Sequence, residues 1–328
     1  MTTTRWIERT KRGRGAVYSL DGETITDELQ LEYFKSLGIP PAWKNVRIAR
    51  SRSAKVLATG VDNAGRAQYR YHPKFRAQQE QFKFERILRF ARALPKMRQT
   101  VDEDLGRREL DYRKVMASIV SIMDQTYIRV GNDSYARDNN SYGLTTLRSK
   151  HTEVQGSTIT FEFVGKSGKH HVKRITDKAL ARIVRQLDNL PGYEVFKYYD
   201  EHGQLKDVKS SDVNAYIKEI MGDEFSAKDF RTWAGTLIAS GELAAVEQAE
   251  SERERKKLVT ACVKKVSKKL SNTPAIARSS YIDPRIIQRF MDGEDLSDVA
   301  ETVKNMKQQK GAQYLSPEEK SVLCLLEC

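Results

Sequence analysis

Apolar and polar residues alternate over short stretches in the first 80 residues, which is the pattern of half-buried β-strands. The strand-like stretches are RGAVYSL, KNVRIARS, AKVLATGV and AQYRYH. The last two are separated by Asp62-Asn63-Ala64-Gly65, a sequence suited to a tight turn. Residues 1–80 are therefore predicted to form a small β-rich domain.

From residue 81 onward the apolar positions recur at helical spacing. The first stripe consists of Phe82, Ile87, Phe90 and Leu94, and the second of Val115, Met116, Ile119, Val120, Met123 and Tyr127. The first helix is predicted to stop at Pro95, because proline has no N–H to donate. The second is predicted over residues 112–131, with Gly131 as its cap and Arg129 in its last turn.

A small antiparallel sheet is predicted inside the helical region, at residues 143–176. Its stretches are GLTTLRSKHTEV, TITFEFV and HHVKRIT. The glycines of Gly165-Lys166-Ser167-Gly168 permit a tight hairpin turn with Lys166 at the tip. The fold class is therefore α+β: a small β-rich domain over residues 1–80, and a larger, mainly α-helical domain over residues 81–328 that contains this sheet.

Three later helices carry residues of chemical interest. Ser226 is suited to cap a helix in which Lys228 and Arg231 share one side, next to an apolar face. Residues 253–269 hold eight Lys and Arg against one Glu and form an amphipathic helix with a cationic outer face. Thr273 and a following proline then begin a short helix that carries Tyr281 on its third turn or just beyond.

The charge balance indicates a polyanionic partner. Fifty-seven Lys and Arg against 44 Asp and Glu give a formal net charge of +13 and an isoelectric point near 9.5, as expected of a protein that binds nucleic acid. No apolar run approaches the roughly 18 residues of a membrane span, and no signal-peptide apolar region follows the N-terminus. We therefore expect a cytoplasmic, nucleoid-associated protein that does not act at a membrane.

Common cofactor and metal motifs are absent from the sequence. Gly165-Lys166-Ser167 resembles the end of a phosphate-binding P-loop, but the motif needs glycine at position 160, which is Thr160. The five histidines show no metal-ligand spacing, and no GxSxG stretch is present. No metal and no cofactor are expected.

Five residues on separate elements remain as candidates for chemistry: Arg129, Lys166, Arg231, Asn272 and Tyr281. Breaking a phosphodiester bond without a metal requires compensation for the charge on the non-bridging oxygens, which guanidinium groups provide without deprotonating. A tyrosine that attacks phosphorus would store the bond as a phosphotyrosine ester, so resealing would need no nucleotide. Taken singly, each of these residues is more often a surface or core residue; it is their order that favours catalysis.

That order resembles the type IB DNA topoisomerases, in particular the compact poxvirus-like and bacterial branch. The matching stretches are YIRVG, FVGK, KDFRTW and SNTPAIARSSY in the helical domain, and GIPPAWKNV and GRAQYRYHP near the N-terminus. The resemblance covers nearly the whole chain. It implies a monomeric, bacterial enzyme whose two domains form a clamp around duplex DNA and relax supercoils without ATP or an obligatory metal.

The resemblance also implies a role for each of the five residues. Tyr281 would be the nucleophile that forms a 3′-phosphotyrosyl link, and Arg129 and Arg231 would clamp the phosphate oxygens. Lys166 would protonate the departing 5′ oxygen. Asn272 stands where many relatives carry histidine, so we expect a neutral hydrogen bond to phosphate there and no pH switch near neutrality.

Contacts with DNA are implied for Gln68, Tyr69, Tyr71, Tyr135 and Lys228. Tyr69 and Tyr71 share one face of a strand, with Arg70 opposite, so an aromatic pair could meet DNA, or the strand could simply be half-buried. Some relatives have basic residues where this chain has Asn132 and Ser134, so site preference could differ.

Two alternatives stay open on the sequence. A tyrosine recombinase shares this catalytic arrangement, but usually shows His-x-x-Arg where this chain has Lys228-Asp-Phe-Arg231, and the β-rich front domain argues against it. A non-catalytic DNA-packaging or clamp protein is supported by the charge alone, and predicts salt-sensitive binding without a covalent adduct.

Overall fold

The computed structural model describes residues 6–13, 15–63, 65–246, 249–297 and 311–327. The chain divides into two compact units, Met1–Glu85 and Arg86–Cys328. The division falls within one long helix, α2 (Pro73–Leu105). None of the helices in the described ranges is long and apolar enough to cross a membrane.

The N-terminal unit contains a six-stranded antiparallel sheet, which confirms its predicted β-rich character. The strands are β1 (Trp6–Arg12), β2 (Gly15–Leu20), β3 (Glu23–Thr24), β4 (Lys44–Ala49), β5 (Val56–Val61) and β6 (Ala67–Tyr71), in the order β3-β2-β1-β4-β5-β6. A helix that the sequence patterns did not predict, α1 (Glu28–Ser36), begins at Asp27, whose carboxylate accepts the backbone N–H of Gln30 at 2.7 Å. Phe34 of α1 packs against the sheet core formed by Ile7, Tyr18, Val46, Ile48 and Ala58.

Helix α2 continues through Pro95, so the prediction that it stops there is wrong. A proline inside a helix costs about 3 kcal/mol. Leu94 and Met97, on either side of it, are fully buried, and burying one such side chain contributes about 1.5–3 kcal/mol. The packing of several residues along α2 therefore outweighs the missing hydrogen bond. Phe82, the first residue of the predicted apolar stripe, is 53% exposed and does not share the burial of Ile87, Phe90 and Leu94.

Helix α3 (Tyr112–Thr126) ends five residues before the predicted cap at Gly131. Tyr127 adopts the left-handed conformation with φ of 60° and closes the helix through its N–H to the carbonyl of Met123. The Thr126 hydroxyl donates to the Ile122 carbonyl at 2.6 Å and accepts the N–H of Ile128 at 3.3 Å, which redirects the chain. Arg129 consequently lies in a non-helical segment after α3, and its placement in the last helical turn is wrong.

The predicted small sheet is confirmed, with β7 (Thr152–Gln155), β8 (Thr158–Gly165) and β9 (Lys169–Thr176) in that order. Ile159, Phe161 and Phe163 are buried on its inner face. The part of the predicted sheet at 144–146 and 149–151 instead forms short 3-10 turns, so that part of the prediction is wrong. A separate two-stranded sheet pairs β10 (Lys197–Tyr199) with β11 (Leu205–Asp207).

The larger unit is mainly helical. Its further helices are α4 (Asp133–Asn139), α5 (Lys178–Asp188), α6 (Ser210–Met221), α7 (Ala227–Ala244), α8 (Glu252–Lys269), α9 (Pro274–Ser280), α10 (Pro284–Met291) and α11 (Pro317–Glu327). The predicted caps at Ser226 and Thr273 are confirmed. Helix α7 is buried along most of its length and contacts α3, α6, α8, α10 and α11, so it forms the support on which the candidate site is built.

A partly buried charged network, centred on the buried Glu319, holds the C-terminal helix against α7. Glu319 of α11 accepts hydrogen bonds from Arg98 of α2 at 2.7 and 2.8 Å and from the indole N–H of Trp233 on α7 at 3.0 Å. Arg98 also donates to Asp124 of α3 at 2.8 Å. Residues 311–327, for which the sequence suggested no role, thus help to fix the helix that carries Arg231.

Candidate active site

Arg231 is a buried cation on α7, with 4% of its surface exposed. Its guanidinium donates to the main-chain carbonyl of Tyr127 and, at 2.6 Å, to that of Leu270. The left-handed cap that ends α3 therefore supplies one acceptor and the end of α8 supplies the other. Nε of Arg231 is buried and has no hydrogen-bond partner among the described residues.

Tyr281 follows α9 directly and is held against α7. A Cβ atom at Gly235 would collide with the carbonyl of Tyr281 and would lie 2.8 Å from its Cβ, so only glycine allows this approach. The Thr236 hydroxyl lies 3.4 Å from the same carbonyl and accepts the N–H of Asp283 at 3.0 Å. Tyr281 is 9% exposed, and the ring centroid lies 5.2 Å from Cζ of Arg231.

The charges around Tyr281 and Arg231 favour a reactive phenol at Tyr281. Burial alone would raise the pKa of Tyr281, but the cations Arg231, Arg129 and Lys228 outweigh it, so the pKa lies below its usual value. Burial and the neighbouring Arg129 lower the pKa of Arg231 to about 10. Arg231 therefore remains protonated at neutral pH.

Arg129 reaches Asn272 across 143 residues of sequence. Its guanidinium donates to Oδ1 of Asn272 at 2.5 Å. The amide nitrogen Nδ2 of Asn272 is buried and finds no acceptor within the part of the chain that the structure describes. Buried polar atoms are nearly always hydrogen-bonded, so an unsatisfied donor beside the Arg129 guanidinium points to an anionic ligand.

Three basic residues that the sequence patterns did not single out reach the same place from β9. Lys169 donates to the main-chain carbonyl of Asn272 at 2.7 Å, and Lys173 to that of Lys269 at 3.1 Å. Between them, Nδ1 of His171 lies 3.4 Å from the hydroxyl of Ser271. Lys269 is the last residue of α8, so its carbonyl belongs to the negative end of the helix dipole, which stabilises the ammonium of Lys173.

His171 is a neutral member of that group. Burial and the cations Lys173, Arg129 and Arg231 lower its pKa to about 4. The imidazole stacks on Phe163 with ring centroids 4.9 Å apart, and its Nε2 lacks a partner among the described residues. The alternation along KHHVKRIT places residues 169, 171 and 173 on one face, which was the signal that could have identified them.

Lys166 is not brought into contact with the other four predicted residues. It lies exposed in the turn between β8 and β9, where Ser167 and Gly168 both have positive φ. Its ammonium has no side-chain partner in the described ranges. The structure thus brings together Arg129, Arg231, Asn272 and Tyr281, and leaves Lys166 at the hairpin tip.

Two of the predicted DNA contacts lie in the larger unit. Lys228 is exposed on α7, close enough for its charge to lower the pKa of Tyr281. Tyr135 is exposed on α4, and Asn132 caps that helix by accepting the N–H groups of Ser134 and Tyr135. The capping geometry explains why an asparagine suits position 132.

The other three lie in the N-terminal unit. Tyr69 and Tyr71 are exposed and stack with ring centroids 5.9 Å apart, while Arg70 points the other way and donates to the carbonyl of Gly38. Nε2 of Gln68 donates to Asp62 at 2.9 Å. Gln68 and Tyr69 border a groove of about 1010 Å³, which is also lined by the basic residues Arg9, Lys11, Lys44 and Arg47.

An α+β protein with a tyrosine and two arginines in one buried cluster fits two related classes of DNA enzyme, the type IB topoisomerases and the tyrosine recombinases. The family model described as eukaryotic DNA topoisomerase I, catalytic core, matches residues 72–310, and the one described as bacterial DNA topoisomerase IB, N-terminal domain, matches residues 18–62. DNA topoisomerase 1B of Acanthamoeba polyphaga mimivirus is 33% identical over 285 residues, which cover 84% of each chain. DNA topoisomerase 1B of Vaccinia virus (strain Copenhagen) is 22% identical over 264 residues, 76% of each chain. The chain belongs to the type IB DNA topoisomerases.

Proposed function

We propose that this protein relaxes supercoiled duplex DNA by cutting one strand through Tyr281, allowing the free end to rotate and then resealing the strand. The observation that carries the proposal is the buried Tyr281 ring, 5.2 Å from the guanidinium carbon of Arg231 and in the field of Arg129. The relatives from mimivirus and Vaccinia virus are named DNA topoisomerases, which supports the same activity here.

In the cleavage step, Oη of Tyr281 attacks the phosphorus of the scissile phosphate. A Tyr–O–P bond forms at the phosphate that stays on the 3′ end of the cut strand, the P–O5′ bond breaks, and the phenolic proton passes to water. Lys166 gives a proton to the departing O5′, which leaves as a 5′-hydroxyl. The 3′-phosphotyrosyl ester conserves the bond, so the reverse reaction reseals the strand without ATP.

The cations stabilise the negative charge that develops on the phosphate oxygens. Arg129 and Arg231 supply planar donor groups suited to phosphate, and Arg231 is already oriented by its two main-chain acceptors. Nδ2 of Asn272 donates a neutral hydrogen bond to the same phosphate. Such preorganised donors need no rearrangement at the moment of reaction.

Binding of the duplex rests on residues outside this cluster. The exposed Tyr69 and Tyr71 pair, with Gln68, meets DNA from the N-terminal unit, and Tyr135 and Lys228 contact it from the larger one. The net charge of +13 supports association with the phosphate backbone. A single molecule closes as a clamp around the duplex.

The decisive experiment compares Tyr281→Phe with the unsubstituted protein on supercoiled plasmid, with a chelator present and ATP absent. Adding denaturant during the reaction should trap a covalent protein–DNA adduct with the unsubstituted protein and none with Tyr281→Phe, which should still bind DNA. Tyr193→Phe, at an exposed tyrosine of the same unit, is the matched control and should relax plasmid normally. Undiminished relaxation by Tyr281→Phe would refute the proposal.

A further inference from the structure

The orientation of the Asn272 amide follows from its partners. A side-chain amide has one acceptor oxygen and two N–H donors, whereas a guanidinium only donates. Arg129 therefore must face Oδ1, as observed at 2.5 Å, and the NH₂ group is turned away from it. Nδ2 is buried and unpartnered among the described residues, so its hydrogens are available to an incoming acceptor.

The main chain of Asn272 is held by a different cation. Nζ of Lys169 donates to the Asn272 carbonyl at 2.7 Å. Lys169 is the first residue of β9 and follows Lys166 by three positions, directly after the turn. The hairpin that carries Lys166 at its tip therefore contacts the main chain of Asn272 through a residue close to that tip.

The peptide before Asn272 needs such support. Ser271 has a φ of 52°, a left-handed conformation that is uncommon for residues other than glycine. Carbonyls on both sides of it accept hydrogen bonds from β9: Lys269, two residues before Ser271, accepts from Lys173, and Asn272, the residue after it, accepts from Lys169. The shape of the connection between α8 and α9 thus depends on the docked strand.

We propose that Lys169 is a positioning residue for DNA cleavage. Its ammonium holds the main chain of Asn272 where the side-chain NH₂ group can donate to a phosphate oxygen, and it ties this donor to the hairpin that bears Lys166. The inference rests on the proposed function above and adds to it a group that does not itself touch the phosphate.

The test measures how fast the covalent adduct forms in a single turnover. Lys169→Met removes the ammonium and keeps the length of the chain; it should slow adduct formation about 10-fold, the loss expected for one charge-assisted hydrogen bond. Lys169→Arg retains a donor and should recover most of the rate. Arg174→Met is the matched control, because Arg174 lies exposed on the opposite face of β9, and its rate should stay within about twofold of the unsubstituted protein.

A double-mutant cycle with Asn272→Ala separates positioning from a general structural effect. If Lys169 acts through Asn272, then adding Lys169→Met to Asn272→Ala should slow the reaction no further, because coupled residues are not additive. Full additivity, or an unchanged rate for Lys169→Met alone, would overturn the proposal. The thermal midpoint is measured for each variant, and Lys169→Gln replaces Lys169→Met in the cycle if the latter unfolds. Failure of the unsubstituted protein to form any adduct would instead refute the proposed function.

Discussion

The buried side of the site and the hairpin tip differ in how firmly their groups are held. Arg231, on α7, is fixed by hydrogen bonds to two main-chain carbonyls. Tyr281 is fixed by its close approach to Gly235, which also lies on α7. Lys166 is exposed and without a side-chain partner in the described ranges. Substitutions on the buried side should therefore alter folding and chemistry together, whereas substitutions at the tip should alter chemistry alone.

The largest effect is expected for Arg231→Ala. Adduct formation should slow by about 10³-fold or more, by analogy with arginines that stabilise phosphoryl-transfer transition states. The free energy of unfolding should also fall, by about 1–3 kcal/mol, because the partly buried carbonyl of Tyr127 and the buried carbonyl of Leu270 lose their donor. Single-turnover assays and urea unfolding measure the two quantities. A loss of rate at unchanged stability would contradict the expectation that substitutions on the buried side alter folding and chemistry together.

At the tip, Lys166→Met should slow adduct formation by about 10²- to 10⁴-fold, the usual range for loss of a general acid. Its free energy of unfolding should stay within about 0.5 kcal/mol, as for other exposed residues. A substrate with sulfur in place of the bridging 5′ oxygen should restore the rate, because a thiolate leaves without needing a proton. Failure of that substrate to rescue the variant would remove Lys166 from the role of acid.

Gly235→Ala tests whether the close packing of the Tyr281 main chain against α7 positions the nucleophile. The added methyl would collide with the Tyr281 main chain, so we expect a loss of about 1–3 kcal/mol in stability. A displaced nucleophile should slow adduct formation about 10²-fold. Gly241→Ala on the same helix is the control, because among the described residues only the adjacent helix backbone lies within 4 Å of the Cβ it would add. That control should be stabilised by about 0.5–1 kcal/mol and fully active; equal behaviour of the two variants would show that the close approach is unimportant.

The smallest effect concerns His171 and pH. Its pKa of about 4 in the folded protein lies below the ordinary 6.5, so as the pH falls from 6.5 to 4 the unfolded chain takes up a proton before the folded chain does. Stability present above pH 6.5 should therefore be lost over that range, by about 1–3 kcal/mol. Urea unfolding at pH 7 and pH 4.5 should show a smaller drop for His171→Phe than for the unsubstituted protein. His202→Gln, at an exposed histidine, should leave the drop unchanged.

Local signals in the sequence predicted where several elements begin, but not always where they end. The caps at Ser226 and Thr273 were predicted because a capping side chain acts within three residues of itself. The end of α3 was missed, since it depends on a left-handed Tyr127 whose carbonyl accepts from Arg231, 104 residues away. The passage of α2 through Pro95 likewise depends on packing rather than on propensity.

The order of the motifs along the chain selected the predicted site residues. It did not predict which of their atoms would be in contact. The sequence suggested Arg129, Asn272 and Tyr281 for one site, but not that Arg129 would take the acceptor oxygen of Asn272. Lys169 and His171 escaped notice because the alternation of a strand defines its two faces without telling which one meets the end of α8.

By itself, the sequence determined that strands predominate in the first region and helices in the second, that the chain is strongly basic, and the family to which it belongs. Only the tertiary structure decided which cations meet at the α8–α9 connection, which donors are left unsatisfied there, and which face of β9 holds Asn272. Propensities and caps act between residues a few positions apart, whereas Arg129 and Asn272 are separated by 143 residues. Their meeting depends on how α7, α8 and β9 pack, and no short stretch of sequence contains that information.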